Sequence, residues 1–151
     1  MARVVCRECS HPAPEGAQFC ENCGTKLEGL PESPVPEETS VFLDAMSGFD
    51  FEEFVADMLS KLGYGKVEKV LTTQDEGRDI LIRSTEGLIV VECKHQPRSR
   101  IGRPIVQKLH SAVISSQAAK GMLITTGHFT SEAIESAKGI TKSGTLIEMV
   151  D

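Results

Sequence analysis

Long hydrophobic runs are missing from this chain of 151 residues. None approaches the roughly 18 apolar residues that a membrane-spanning helix needs. The first residues lead into a cysteine motif instead of the apolar core of a signal peptide. These two absences predict a cytoplasmic protein with no membrane partner. A hydrophobic content of 40% is still sufficient for one core, and the length fits one ordinary domain with an appendage.

Basic residues are missing from residues 28–44, where carboxylates and prolines accumulate. Such a segment cannot bury a core, so we predict that it is an extended, acidic linker. The linker would separate an N-terminal unit, residues 1–27, from a larger domain, residues 45–151.

Carboxylates are in turn missing from residues 93–131. The net charge of −6 argues against a nucleic-acid partner, but this stretch predicts that one face is positive. An ordinary solvated basic surface would give the same pattern. The stretch begins directly after Glu92, a candidate active-site residue, and this position favours phosphate binding. The candidate DNA-binding residues are His95, Arg98, Arg100, Arg103 and Lys108.

Two Cys-x-x-Cys pairs, Cys6 with Cys9 and Cys20 with Cys23, are separated by ten residues. Four thiolates at this spacing close a tetrahedral Zn2+ site, and a segment so short and poor in apolar residues cannot fold by burial alone. A redox pair would need a thioredoxin-like context that is missing here, and disulfides are disfavoured in a cytosolic chain. The segment resembles the short zinc ribbons of microbial proteins. Because closed four-cysteine sites are structural, we predict that it binds a protein partner or DNA.

Two aliphatic segments, residues 77–83 and 88–94, flank a polar loop at residues 84–87 and predict a hairpin of two strands. Antiparallel pairing across this loop sets Asp79 opposite Glu92. Opposed side chains lie about 5 Å apart on one face of a sheet. The hairpin therefore predicts that two carboxylates converge on one spot.

Two carboxylates in a partly dry place raise each other's pKa unless a cation lies between them, and a hard ion such as Mg2+ fits such a pair. Lys94 shares their face of the strand, whereas Cys93 points to the other side and is predicted to be a core residue. Alternatively, Asp79 caps a loop while Glu92 and Lys94 form a salt bridge on an edge strand. The apolar run before Glu92 favours a strand covered on both faces, and with it the metal site.

The spacing of apolar residues from Asp50 to Leu62 predicts an amphipathic helix that stops at Gly63. Glu52 lies at the edge of the apolar stripe and is the helix's candidate contribution to the site. A first-turn acid that complements the helix dipole explains Glu52 equally well. Glu53 faces away, and we predict that it forms a capping box with Asp50.

The remaining periodicities predict an α/β fold with a mixed sheet flanked by helices, in the order αβββαβαβ. We expect further strands at residues 66–73, 122–126 and 145–150, and further helices at residues 104–120 and 131–138.

Asp79 followed by Glu92-Cys93-Lys94 resembles the D…(D/E)xK core of the PD-(D/E)xK nuclease superfamily, and the surroundings are similar to its Mrr-like restriction endonuclease branch. The resemblance extends from about Met46 to Val150. The chain departs from the pattern at Arg78, where the superfamily's name has Pro, and at Glu92, where many Mrr-like members carry Gln but archaeal Holliday-junction resolvases carry Glu. The residues that carry the resemblance are Phe51-Glu52, Gly63-Tyr64, Gly77-Arg78-Asp79, Glu92-Cys93-Lys94, Ile101-Gly102, Ile124-Thr125-Thr126 and Phe129-Thr130.

This resemblance implies a restriction-endonuclease-like fold with an αβββαβ core, preceded here by the zinc ribbon, and hydrolysis of DNA phosphodiester bonds that depends on Mg2+ or Mn2+. Asp79 and Glu92, together with Glu52 and the backbone carbonyl of Cys93, would hold the ion. Lys94 would orient the attacking water and offset negative charge on the phosphate.

Gln107 is a secondary candidate because a polar residue of the helix after Lys94 reaches the site in related nucleases, but a solvent-facing helix residue is the simpler explanation.

The function is that of an Mrr-like endonuclease or, alternatively, of a branched-DNA resolvase working as a homodimer, or of a non-catalytic zinc-ribbon adaptor that binds nucleic acid.

Overall fold

The structure is a computed structural model that describes residues 4–5, 12–13, 19–20, 22–25, 27, 37–71 and 77–151. Its elements are β1 (Val4–Val5), β2 (Pro12–Ala13), α1 (Glu37–Asp44), α2 (Gly48–Lys61), β3 (Lys66–Lys69), β4 (Ile80–Ser84), β5 (Gly87–Lys94), β6 (Arg100–Ile101), α3 (Arg103–Ser115), β7 (Lys120–Thr125), β8 (His128–Phe129), α4 (Ser131–Lys142) and β9 (Leu146–Val150).

A five-stranded mixed sheet, in the order β3-β4-β5-β7-β9, forms the centre of the larger domain. Strands β3, β4 and β5 are antiparallel neighbours, and β5, β7 and β9 run parallel. Strand β5 lies in the middle because its apolar run can be covered on both faces. Most of it is buried, including Glu92 near its C-terminal end.

Helices cover both faces of the sheet. One core joins the buried side of α2 to Ile80, Ile82 and Val91, and the other joins α3 and α4 to Val90 and Leu123. Alternate residues of β5 therefore enter different cores, as a strand period of two requires. This is the α/β arrangement that the sequence predicted.

The N-terminus of α2 differs from the prediction. The capping box is formed by Ser47 and Asp50, and the helix begins at Gly48. Because Asp50 is the third helical residue and not the cap, Glu53 has no part in the box. It accepts a hydrogen bond from Lys69 Nζ at 2.6 Å, so the predicted pairing of Glu53 with Asp50 was wrong.

The acidic segment is also more structured than predicted. Residues 37–44 form α1, not an extended chain, while residues 28–36 lie outside the described part. Helix α1 is attached to the larger domain, because His95 Nε2 lies 2.8 Å from the carbonyl oxygen of Leu43. The tertiary contact explains a helix that composition alone did not indicate.

Two short parallel strands, β6 and β8, form a separate pair beside the main sheet. We call these strands, with the loops that precede them at residues 95–99 and 126–127, the β6–β8 arm. The sequence did not predict it, since two-residue strands carry no periodic signal. Over the residues that the structure describes, no helix combines the length and the apolar content that a membrane crossing requires.

Candidate active site

The β4–β5 hairpin brings Asp79 and Glu92 to the same end of two neighbouring strands. Leu81 pairs with Val90, the register that the sequence predicted. Asp79 directly precedes β4, and its N–H donates to the carbonyl oxygen of Val91 at 2.8 Å. The antiparallel alignment therefore continues to the position beside Glu92.

The carboxylate of Asp79 is held by the backbone of β5. Its Oδ2 accepts a hydrogen bond from the N–H of Cys93 at 2.6 Å. Burial raises the pKa of Asp79 above its ordinary value, and this hydrogen bond and the charges of Lys94 and Lys69 offset the rise only in part. Glu92 also acts on the pKa of Asp79, and Asp79 acts on that of Glu92, so the two carboxyl groups lie close together.

Glu92 is a charged side chain that the fold encloses, with only 1% of its surface exposed. Burial raises the pKa of Glu92, and the charge of Asp79 adds to the rise, whereas the contact with Lys94 opposes it. Neither carboxylate oxygen of Glu92 has a well-aligned hydrogen-bond donor among the described residues. A buried carboxylate without aligned donors costs free energy, which the nearby charge of Lys94 offsets only in part.

Two lysines supply positive charge beside Glu92. Lys94 Nζ lies 2.8 Å from Oε1, and Lys108 Nζ on α3 lies 4.0 Å from the same atom. Burial lowers the pKa of Lys94, but the contact with Glu92 and the nearby carboxylates outweigh it and raise the pKa overall. Lys94 is therefore a fixed positive charge at neutral pH. Lys108 was predicted only as a DNA-binding residue, and its proximity to Glu92 was missed because the two are 16 positions apart.

Glu52 lies at the margin of this group. Its Oε2 is 3.8 Å from Lys69 Nζ. Burial raises the pKa of Glu52, and the charge of Asp79 raises it further. Across the described ranges, no three His, Cys, Asp or Glu side chains are clustered closely enough to hold a metal ion together. The structure thus brings Asp79, Glu92 and Lys94 together and leaves Glu52 at the edge, where its role as a ligand stays a prediction.

Lys69 is a further residue near the site that the sequence analysis missed. It is largely enclosed, it pairs with Glu52 and Glu53 on α2, and its ammonium group lies 3.9 Å from the ring centre of Phe49. Its charge lowers the pKa of Asp79 and of Glu52. No sequence signal identified it, since a lysine on a short strand is usually a solvated one.

Thr125 fixes the end of β5 from the neighbouring strand. Its hydroxyl donates to the carbonyl oxygen of Lys94 at 2.6 Å and accepts from the N–H of Gly127 at 2.9 Å. Thr125 is one of two buried polar residues in the described part of the chain, Glu92 being the other. The bond holds the backbone from which Lys94 projects.

The predicted DNA-binding residues occupy different positions. His95 is half-buried, with its ring 5.4 Å from that of Phe51. Arg98, Arg100 and Arg103 are exposed, in the loop before β6, on β6 and at the start of α3. With its amide turned to meet Arg103, Gln107 accepts from that guanidinium at 3.1 and 3.2 Å. DNA binding by His95, the three arginines and Lys108 stays a prediction, as does a role of Gln107 in the active site.

The carboxylate pair fits a hard divalent cation. Such ions take oxygen ligands, and the two oxygens of Glu92 are buried without a donor beside the carboxylate of Asp79. A cation there would remove the desolvation cost that raises both pKa values. Whether the Cys93 carbonyl joins the ligands stays a prediction.

Only part of the cysteine site lies within the described residues. Cys20 is buried and Cys23 is half-buried, while Cys6 and Cys9 lie outside the described ranges. The second pair forms a turn in which the N–H of Gly24 donates to the carbonyl oxygen of Cys20 at 2.8 Å. A tight turn of this kind brings both sulfurs of a Cys-x-x-Cys pair to one side, which fits Zn2+.

Comparisons with known proteins agree with this arrangement. Residues 43–151 match a family model described as restriction endonuclease, the Mrr catalytic domain, and residues 5–27 match the zinc-ribbon domain model. The chain is similar to the type IV methyl-directed restriction enzyme EcoKMrr of Escherichia coli strain K12, with 34% identity over 113 residues, which are 70% of this chain and 37% of that protein. Among solved structures, it is similar to the DNA modification-dependent restriction endonuclease AspBHI, with a TM-score of 0.60 and 18% identity over 80% of this chain and 34% of that one.

The fold is therefore that of the restriction endonucleases, carried behind a zinc-ribbon domain. The chain belongs to the Mrr-type restriction endonuclease family. It spans little more than a third of the length of the two relatives named above.

The raised pKa values predict an inverse pH dependence of stability in the metal-free protein. Asp79 and Glu92 have folded-state pKa values above their ordinary values of 3.8 and 4.5. Their stabilising contribution is complete below those values and is lost as the pH rises through the folded-state pKa. In urea denaturation, we expect wild type to lose stability relative to the double variant Asp79→Asn with Glu92→Gln as the pH rises from about 4 to 7.

Magnesium should reverse this loss in wild type alone. At a free concentration 100 times its Kd, the ion adds about 2.7 kcal/mol to the free energy of unfolding. A difference between the two proteins that stays constant with pH, or equal stabilisation of both by Mg2+, would contradict the assignment of these carboxylates.

Proposed function

We propose that this chain is the catalytic part of a metal-dependent endonuclease that hydrolyses DNA phosphodiester bonds. The observation that carries the proposal is Glu92, a buried carboxylate with no aligned donor that lies against Asp79 and beside Lys94. A purely structural position has no physical reason to keep two repelling acids enclosed, because an apolar pair of similar size would be more stable. A site that must hold a cation has that reason.

Each of the three side chains has its own part in this proposal. Asp79 and Glu92 hold Mg2+ or Mn2+, and the backbone N–H of Cys93 keeps Asp79 oriented. The bound ion would supply Lewis-acid polarisation of the phosphate and acidification of a water molecule. Lys94, kept protonated by its carboxylate neighbours, orients the attacking water and offsets the negative charge that develops on the phosphate.

Further parts of the proposal concern partners. DNA is the proposed substrate, with Arg98, Arg100 and Arg103 contacting its backbone. The names of the two relatives refer to methyl-directed and modification-dependent restriction, so we propose modified DNA as the target. Four cysteines hold a structural Zn2+, the active form is a homodimer, and the protein acts in the cytoplasm.

A gel assay of the purified chain tests the proposed function. The substrates are methylated duplex, unmethylated duplex, single-stranded DNA and a four-way junction, each with Mg2+, Mn2+ or excess chelator. We expect cleavage of methylated duplex only when a divalent ion is present. Preferred cleavage of the junction would identify a branched-DNA resolvase, a class whose motif resembles this one in carrying Glu at the position of Glu92. Binding without cleavage under every condition would overturn the nuclease assignment in favour of an adaptor.

A further inference from the structure

The zinc ribbon touches the nuclease domain through its second cysteine pair. Gly24, the residue after Cys23, has a φ of +72° and lies against the backbone of β8, where a Cβ would collide with the carbonyl oxygen of Phe129. Phe19, directly before Cys20, lies with its ring 5.6 Å from that of His128. The contact needs both the absence of a side chain at position 24 and a left-handed backbone there, so the turn and the docking surface depend on each other.

Strand β8, against which the ribbon packs, is hydrogen-bonded to β6 and to the loop that precedes β6. His128 pairs with Arg100 and Phe129 with Ile101. The N–H of His128 donates to the carbonyl oxygen of Ser99 at 2.9 Å. Two-residue strands have little stability of their own, so the β6–β8 arm depends on packing. Ile101 and Phe129 anchor it in the core beside α3 and α4. The ribbon covers the side of β8 at Phe129.

The β6–β8 arm is bonded in turn to the active-site strand. The N–H of Gln96 donates to Thr126 Oγ1 at 3.0 Å, and the N–H of Thr126 donates to the carbonyl oxygen of Lys94 at 3.3 Å. The hydroxyl of Thr125 donates to that same carbonyl. A continuous series of contacts therefore joins the turn at Gly24 to the backbone of Lys94.

We infer that the zinc ribbon stabilises part of the nuclease domain. The second turn of the ribbon, closed by the metal, holds the β6–β8 arm, and with it Arg100, in place beside the active site. A four-cysteine ribbon does not fold without its metal. Loss of zinc would release the turn that packs on Phe129 and so loosen the arm. The inference rests on the proposed function only for its consequence, which is that zinc loss weakens DNA binding through the β6–β8 arm.

Hydrogen–deuterium exchange on the full chain measures the coupling without DNA, Mg2+ or catalysis. We compare zinc-loaded protein with protein from which zinc has been removed under reducing conditions. Amide exchange at residues 96–101 and 126–130 should accelerate by roughly tenfold, the factor that corresponds to about one lost hydrogen bond. Exchange within α4 should not change. Unchanged exchange in the β6–β8 arm, in protein whose ribbon has become unprotected, would overturn the inference.

A variant on the nuclease side separates docking from zinc binding. His128→Ala removes the ring that meets Phe19 without altering a cysteine or the turn, so zinc content should stay at one ion per chain while exchange in the arm accelerates. His110→Ala, on α3, is the matched control and should leave the arm unchanged. Equal exchange of the arm in the two variants would show that the contact between His128 and Phe19 does not stabilise the arm. If the coupling is observed but no substrate is cleaved, the proposed function fails and this inference stands.

A second variant alters the ribbon side. Gly24→Ala introduces the Cβ that collides with Phe129, whereas Gly139→Ala on α4 introduces one that meets no atom within 4 Å. We expect faster exchange in the β6–β8 arm and at least about tenfold weaker duplex binding at low salt for the first variant alone, since a mobile arm no longer presents Arg100. Wild-type duplex affinity in Gly24→Ala, together with an arm that exchanges rapidly, would remove the proposed consequence for DNA.

Discussion

Replacing Asp79 with Asn is expected to lower the rate of DNA cleavage by at least about 10²-fold, the usual effect of removing one preorganised charged group from an active site. The amide keeps an oxygen that can accept from the N–H of Cys93, so the hairpin should remain intact. What is lost is the negative charge that, with Glu92, makes the pocket favourable for a cation. Single-turnover cleavage of a duplex substrate under saturating Mg2+ measures the effect.

A matched control distinguishes loss of the site from loss of an acid. Asp57 on α2 is an exposed carboxylate that pairs with Lys61 at 2.6 Å, so Asp57→Asn should cleave at the wild-type rate. Duplex binding should be unchanged or slightly stronger in the Asp79 variant, because one negative charge near the phosphate has been removed. Cleavage by Asp79→Asn at the wild-type rate would show that another group performs this role.

The hairpin that carries the site was predictable because strand geometry has few free choices. Two aliphatic runs and a polar loop ending in Gly87 fix which residues face each other, and Arg83 pairs with Leu88 in the register that places Asp79 opposite Glu92. A carboxylate at Asp79 then has to meet one at Glu92. The α/β fold followed from the same periodicity, since helices of 12 to 14 residues alternate with short buried strands.

The residues that complete the site were not predictable in this way. Lys69, Lys108 and Thr125 reach the carboxylates, or the strand that carries them, from a neighbouring strand or helix, and their spacing in the sequence contains no trace of that contact. Helix α1 was missed for a related reason. Its composition favours a solvated chain, and the structure shows instead that His95 contacts its last turn. Tertiary contacts outweigh weak local preferences.

The electrostatics of the pocket connect these observations. Two acids carry raised pKa values and Lys94 carries a raised one, so the pocket favours protons on all three groups when no cation is present. Metal binding must therefore displace protons, and the affinity for Mg2+ should rise with pH through the range in which the acids ionise. This competition follows from burial, which raises the pKa of an acid and increases the attraction of an ionised one for a cation.

Replacing Lys94 with Met tests the other half of the site. Met approximates the length of the lysine stem without its charge, so the attacking water loses its orienting group and the developing phosphate charge loses its counterion. We expect cleavage to fall by about 10²- to 10³-fold. Duplex binding should fall only several-fold, because Lys94 is largely enclosed.

The same change should affect stability with a characteristic pH dependence. Within the part of the chain that the structure describes, Glu92 would then keep Lys108, at 4.0 Å, as its paired cation. Removing one partner of a buried pair costs on the order of 3 kcal/mol, but Glu92 can take up a proton and so limit the loss. Denaturation should therefore show a deficit in the free energy of unfolding, relative to wild type, that is largest above neutral pH and shrinks towards pH 4.

Lys66→Met, at an exposed lysine on β3 that pairs with Glu68, is the control. It should match wild type in cleavage and show no such trend. A Lys94→Met protein with normal cleavage and a deficit that does not vary with pH would mean that the ammonium group neither orients water nor neutralises Glu92.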